Sequence, residues 1–180
     1  MEKHIYTNPT SMTAHSQSHN QERIPVLLTG DIVPVFKYDG HWSVAVIEST
    51  KPALRGKLVF GGGHRDAGDT TVEDAAIREG REELGLTITH DQLQLFMVLS
   101  GLNRDVRPMY SKPATPEQAQ LIDRTTVVFI VEYPAVPADL NAGDDAAKIH
   151  VIALKDLKPD MMGYDHGLVV EKLKKRYGIK

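Results

Sequence analysis

Glu79, Glu82 and Glu83 stand at i, i+3 and i+4 in a proline-free stretch that runs from Thr71 to Leu84. On a helix, at about 100° per residue, three carboxylates so spaced fall within an arc of roughly 100°. Val72, Ala75 and Ala76 share that side, so it is not a plainly solvated face. Like charges at this spacing cost a helix roughly 0.2–0.5 kcal/mol per pair, and burial raises the cost steeply. A divalent cation reverses the sign, because hard Mg²⁺ takes several carboxylate oxygens and keeps waters that a phosphate can replace. The alternative is a solvent-facing acidic helix paired with basic neighbours, and Arg78 does stand one turn before Glu82. The triplet alone does not decide between the two.

The preceding residues do. Gly62-Gly63-His64-Arg65-Asp66-Ala67-Gly68-Asp69 follows a short apolar run, and its first glycines are expected to turn the backbone sharply and bring it close to a phosphate or metal. Asp69 falls just before the helix, where the dipole favours an anion. The stretch Gly63 to Leu86 resembles the Nudix box, G-x5-E-x7-R-E-U-x-E-E-x-G-U with U apolar. Gly63, Arg78-Glu79, Glu82-Glu83, Gly85 and Leu86 match it directly. Three positions depart from it. Asp69 replaces a glutamate, eight residues rather than seven separate it from Arg78, and Gly80 stands where the pattern has a bulky apolar residue. Gly80 costs the helix about 1 kcal/mol relative to alanine and permits close packing.

The resemblance implies a Mg²⁺-dependent hydrolase of phosphoanhydride bonds, with Mn²⁺ as a substitute ion. It implies Glu79, Glu82 and Glu83 as metal ligands, joined by the Gly63 carbonyl, and Arg78 as the group that orients the carboxylates. Glu79 and Glu82, with Arg78, are accordingly the catalytic candidates. The general base stays open between Glu79, Glu82 and a loop carboxylate of the C-terminal half. His64 adjoins this site, but with glutamates at hand it is not expected to bind Mg²⁺.

Two cues to substrate diverge. The box spacing, with Leu54-Arg55-Gly56 and Phe60 upstream, is similar to that of coenzyme A pyrophosphatases, although proline is missing from Phe60-Gly61-Gly62. The C-terminal half instead resembles Nudix proteins that act on ADP-ribose. Gly143-Asp144-Asp145-Ala146 and the later Asp165-His166 carry that likeness, as does Asn103-Arg104-Asp105 with Arg107. A tryptophan common between the first two segments is absent. Substrate contacts tend to come from such loops, so ADP-ribose or a similar nucleotide sugar is the favoured substrate, with Arg55, Arg104, Arg107, Asp144 and Asp145 as candidate contacts. Coenzyme A and oxidised nucleotides are the alternatives, as is a sensor that binds without cleaving. Each contact also has a plainer reading: a solvated turn at Asp144-Asp145, surface charges at Arg104 and Arg107, a helix cap at His166. Trp42 reads as a strand core residue rather than a stacking platform.

The elements that must hold these residues alternate around them. Val26 to Phe36 is rich in β-branched residues, Asp39-Gly40 is a hairpin signal, and His41 to Ile47 reads as the returning strand. Pro34 suggests an edge position or a bulge. The helix from about Thr71 to Leu84 carries a capping-box signature in Thr70 and Glu73 and a stop at Gly85. Leu93–Leu99, Thr125–Glu132 and Lys148–Ala153 read as strands, and Gly167–Tyr177 as a closing helix. A long polar loop with Pro108, Pro113 and Pro116 separates two of them. The fold class expected is α+β, a mixed β-sheet between helices in an α/β/α sandwich of the Nudix type.

The 180 residues suit one domain, expected over 24–180 behind a mobile polar tail, 1–23. A net charge of −3 and 6% aromatic residues argue against nucleic acid as a partner. With no cysteine there is no thiolate chemistry and no disulfide. No apolar run reaches the roughly 18 residues of a membrane span, and a cytoplasmic location is expected. The partners expected are a small nucleotide substrate and, by likeness to ADP-ribose-type relatives, a second copy in a homodimer.

Overall fold

The computed structural model describes residues 26–101, 104, 123–142 and 148–180. The expected tail at 1–23, most of the proline-bearing loop and the Gly143–Ala146 segment lie outside the described residues. The strands are β1 (Val26–Tyr38), β2 (His41–Glu48), β3 (Leu58–Val59), β4 (Gly61–His64), β5 (Gln94–Leu99), β6 (Asp123–Tyr133) and β7 (Ile149–Ala153). Two α-helices accompany them, α1 (Val72–Leu84) and α2 (His166–Arg176).

The strands form one mixed sheet. Its main path runs β3-β2-β1-β6-β5, with β4 added to β1 and β7 to β2. β1 and β6 are parallel over Val26↔Asp123 to Phe36↔Tyr133, and the other pairs are antiparallel. The β1–β2 hairpin closes through Asp39 and Gly40, both at positive φ (48° and 73°), the backbone a tight two-residue turn requires.

Strand alternation divides the core in two. Val33, Val35, Val44, Val46, Val128 and Ile130 pack with Val169, Val170 and Leu173 of α2. The intervening Ile32, Ile47, Phe129 and Val131 pack with Ala76, Ile77 and Leu84 of α1. A helix therefore covers each face of the sheet, as the α/β/α expectation requires. Full burial of each such side chain contributes about 1.5–3 kcal/mol.

Three local expectations need correction. Pro34 lies neither on an edge strand nor at a bulge but inside β1. β1 pairs with β4 up to Ile32 and with β2 from Val35, so the proline falls where the strand changes partners and no N–H is demanded on that side. Gly61–Gly63 form strand β4 rather than a turn. The capping box is one residue later than Thr70 and Glu73. Thr71 takes the extended cap conformation, its hydroxyl accepts from the Asp74 N–H (3.1 Å), and the Asp74 carboxylate accepts from the Thr71 N–H (2.8 Å). The Thr70 carbonyl instead accepts from Arg65 (3.0 Å). Gly85 ends the helix at φ 69°, as expected.

α1 lies unusually near the sheet. A side chain at Gly30 would come within 2.6 Å of the Val72 carbonyl, and one at Gly80 within 2.9 Å of Ile88. At Gly30 the obstacle is backbone; at Gly80, the glycine that breaks the box pattern, it is only the end of the Ile88 side chain, so glycine is needed less strictly there. Loss of the observed cap should be measurable: Thr71→Ala is expected to lower stability by about 1 kcal/mol in chemical denaturation, and Thr70→Ala by much less.

Candidate active site

Strand β4 receives side chains from both faces of the sheet. None of Gly61, Gly62 and Gly63 takes a positive φ, so the glycines serve space rather than backbone freedom. A Cβ on Gly63 would sit 2.1 Å from Glu79 Oε1, and one on Gly62 only 2.2 Å from Asp31 Oδ1. The Gly62 amide donates to Glu83 Oε2 (2.9 Å). Carboxylates from α1 and from β1 therefore approach the same glycine strand from opposite sides.

Arg78 organises the acidic face of α1. Its Nη1 donates to Glu79 Oε1 (2.9 Å) and to Glu82 Oε2 (3.0 Å). Its Nη2 donates to the His64 carbonyl (2.9 Å) and to Asp69 Oδ2 (3.1 Å), and its Nε donates to Asp69 Oδ1 (3.3 Å). One guanidinium thus ties the end of β4, the turn before the helix and two helix carboxylates together, a task suited to arginine's planar fork. Asp69, although shorter than the glutamate of the pattern, is buried and bridged by Arg78. That hydrogen bond, with the Asp66 amide, holds its carboxyl below the ordinary value of 3.8.

The other carboxylates are strained electrostatically. Burial pushes Glu83 up to about 7, against the pull of the Gly62 amide, and the neighbouring Glu79 adds to the rise. Glu79 is also raised, chiefly by burial, with Arg78 opposing. Glu82 is the exposed member. Oxygen donors of this kind, half-buried and short of cations, fit a hard divalent ion. Among the described residues no three histidine or carboxylate side chains converge as a closed ligand set. An ion held here by Glu79, Glu82 and Glu83 with Gly63 would complete its shell with water, as Mg²⁺ commonly does.

Beside β4, on the α2 side of the sheet, opens a cavity of about 350 Å³. Gly62, Gly63 and Glu83 line it, with Asp31, Arg104 and His166. His166, the first residue of α2, does not cap the helix. It accepts from the Phe60 amide at Nδ1 (3.0 Å), and its Nε2 lies 3.1 Å from Asp31 Oδ2. Arg104 also lines the cavity, but all five of its N–H groups are engaged within the protein. They reach Asp165 twice, the Leu99 and Arg124 carbonyls, and Thr126 Oγ1 (2.8 Å). Arg104 thus shapes the floor of the cavity and ties β5 and β6 to the start of α2.

Arg78 joins Glu79 and Glu82, Glu79 lies against Gly63, and Glu83 accepts from the Gly62 amide. Arg55 is exposed and does not line the cavity. Arg107, Asp144 and Asp145 lie outside the described residues. Trp42 packs beside Tyr177, with ring centroids 4.6 Å apart, and has no place in the cavity. Sequence reasoning missed Asp31 and Lys51. A lone carboxylate in the apolar run Gly30-Asp31-Ile32-Val33 was the available signal for the first. Lys51 lies in a loop among other polar residues and offered none.

The sequence matches the family described as NUDIX domain over residues 28–173. No curated protein matches it. Among solved structures, a MutT/nudix family protein from Enterococcus faecalis is 21% identical with a TM-score of 0.61, over 94% of this chain and 70% of that one. The NUDIX domain of Shewanella oneidensis NrtR, complexed with ADP ribose, is 18% identical with a TM-score of 0.60, over 84% of this chain and 88% of that one. A bifunctional NMN adenylyltransferase/ADP ribose pyrophosphatase from Francisella tularensis, complexed with AMP and a Mn ion, is 20% identical with a TM-score of 0.57. It is covered over 42% of its length by 85% of this chain. At these identities the likenesses establish the fold.

The Arg78 clamp makes a pH-dependent contribution. Because Asp69 is held below its ordinary value, the clamp stabilises the fold fully at neutral pH and is lost as the pH falls below 3.8 through the lowered value. Arg78→Met, which keeps the stem and removes the fork, is expected to cost about 2 kcal/mol at pH 7. The gap to wild type should narrow in acid denaturation, and a gap independent of pH would mean that Asp69 is not the main partner.

Proposed function

This chain belongs to the NUDIX family, and from that premise we propose that it is a Mg²⁺-dependent pyrophosphohydrolase acting on ADP-ribose or a similar nucleotide sugar. The observation that carries the reading is the approach of Glu79 and Glu83 to Gly62–Gly63 at the edge of a polar cavity. Water adds to one phosphorus of the diphosphate, the P–O–P bond breaks, and ADP-ribose gives AMP and ribose 5-phosphate with release of a proton. When bound, a divalent ion supplies Lewis acidity at the phosphoryl oxygens and lowers the pKa of the attacking water.

The chain's own residues prepare that step. Arg78 fixes the rotamers of Glu79 and Glu82 by binding one oxygen of each. Gly62 and Gly63 keep the strand bare, so that the Glu79 and Asp31 carboxylates pack directly against it. Lys51 lines the same cavity, and its ammonium is 5.8 Å from the centre of the Tyr164 ring. It is the cation we assign to a substrate phosphate, since Arg104 has no donor left to give. The ADP-ribose assignment is supported by the C-terminal likeness seen in the sequence. It is also supported by two structural relatives, one complexed with ADP ribose and the other an ADP ribose pyrophosphatase.

The test is hydrolysis, with and without Mg²⁺, of ADP-ribose, NADH, coenzyme A, dinucleoside polyphosphates and 8-oxo-dGTP, with products identified by mass. AMP and ribose 5-phosphate from ADP-ribose, at the highest kcat/KM of the set, are expected. Glu82→Gln should abolish most of this turnover while leaving the melting temperature unchanged, since Glu82 is exposed. Preferential release of 4′-phosphopantetheine from coenzyme A would transfer the assignment to that substrate. Binding of ADP-ribose without turnover would make the protein a sensor.

A further inference from the structure

Asp31 is an unusual residue to find in the middle of a sheet. It is 6% exposed, sits on the central strand β1, and has no cationic partner among the described residues. Glu83, close enough to interact with it, is a carboxylate of like sign. The group beside it is His166, which is also 6% exposed. The Phe60 amide can only donate, so the His166 Nδ1 that receives it carries no proton. The ring is therefore the Nε2–H tautomer, and Nε2 lies 3.1 Å from Asp31 Oδ2, beside it but without a hydrogen bond between the two. Oδ1 has no hydrogen-bond partner among the described residues either; it packs against the bare Gly62, and Asp31 lines the cavity.

A purely structural tie between α2 and the sheet would not need this charge. Asparagine at 31 would fill the same space beside His166 without the cost of burying an anion. A buried carboxylate in the wall of a polar cavity, with neither oxygen hydrogen-bonded among the described residues, is instead an acceptor open to an external donor. We propose that Asp31 is a ligand-binding residue that accepts an O–H group entering the cavity, and that His166 is its positioning residue. The O–H group is either a ribose hydroxyl of the nucleotide or a water in the shell of the divalent ion. The inference rests on the function proposed above for its nucleotide ligand, but not for the dyad itself.

Calorimetric titration separates the two sources. Wild type, Asp31→Asn, His166→Asn and His166→Gln are titrated with ADP-ribose in chelator, and separately with Mn²⁺ in the absence of nucleotide, after each variant's melting temperature is recorded. Asp31→Asn should weaken one of the two probes by about tenfold or more while the protein stays folded. Weakened ADP-ribose identifies the ribose hydroxyl, and weakened Mn²⁺ identifies the coordinated water. His166→Asn, which keeps an acceptor for Phe60 and removes the Nε2–H from beside Asp31, should weaken the same probe. His166→Gln, which can return an N–H to that place, should restore much of it. If both affinities of Asp31→Asn stay within about twofold of wild type, the dyad only fastens α2 to the sheet and the proposal is overturned. Wild type that binds Mn²⁺ but not ADP-ribose would count against the substrate assignment, and the Mn²⁺ affinity of Asp31→Asn would then decide the dyad.

Discussion

The constraint on which the rest of this structure depends is a strand with no side chains. Gly62 and Gly63 separate carboxylates that belong to opposite faces of the sheet, and the space a methyl group would fill at either position is already taken by a carboxylate oxygen. Most strands avoid consecutive glycines, which pack poorly and cost conformational entropy. Here the absence of side chains brings Glu79 and Glu83 on one side, and Asp31 on the other, to the edge of a single cavity.

That approach has consequences for the whole fold. α1 can deliver its carboxylates only by lying close to β1, and Gly30 removes the side chain that would meet the Val72 carbonyl and Ala76. Burial of the carboxylates, with a smaller contribution from their like charges, disfavours the bare site, and it pushes Glu83 up to about 7. Arg78 compensates for part of it by binding Asp69, Glu79 and Glu82 together. The remainder is the physical case for a divalent cation. On the opposite face the polar floor is tied by Arg104 to Asp165 and Thr126, so the start of α2 is fixed next to His166 and the cavity wall is held by hydrogen bonds rather than by packing alone.

Much of this was legible in the sequence. Runs rich in β-branched residues, with the Asp39-Gly40 turn, located β1, β2 and β6, and the Glu79, Glu82, Glu83 spacing with Arg78 located the acidic face, because these patterns are local to one element or hairpin. What stayed hidden depends on distant partners. Pro34 is tolerated because β1 changes neighbours beside it, which no local window reveals. Gly61–Gly63 look like a turn until β1 is seen to pair with them. Arg104 reads as a substrate contact until its five donors are found engaged with residues up to 61 positions away. Asp31 and His166, 135 positions apart in the chain, meet only through the fold.

The central claim is that the crowded carboxylates of α1 are held for a divalent cation. The most direct measurement is the melting temperature of the protein with added Mg²⁺ against NaCl of equal ionic strength, for wild type and Glu83→Gln. Cation binding to the native state should raise the wild-type melting temperature with Mg²⁺ and not with NaCl, and most of that rise should vanish in the variant. An equal response to the two salts, or a rise that Glu83→Gln leaves intact, would contradict the account.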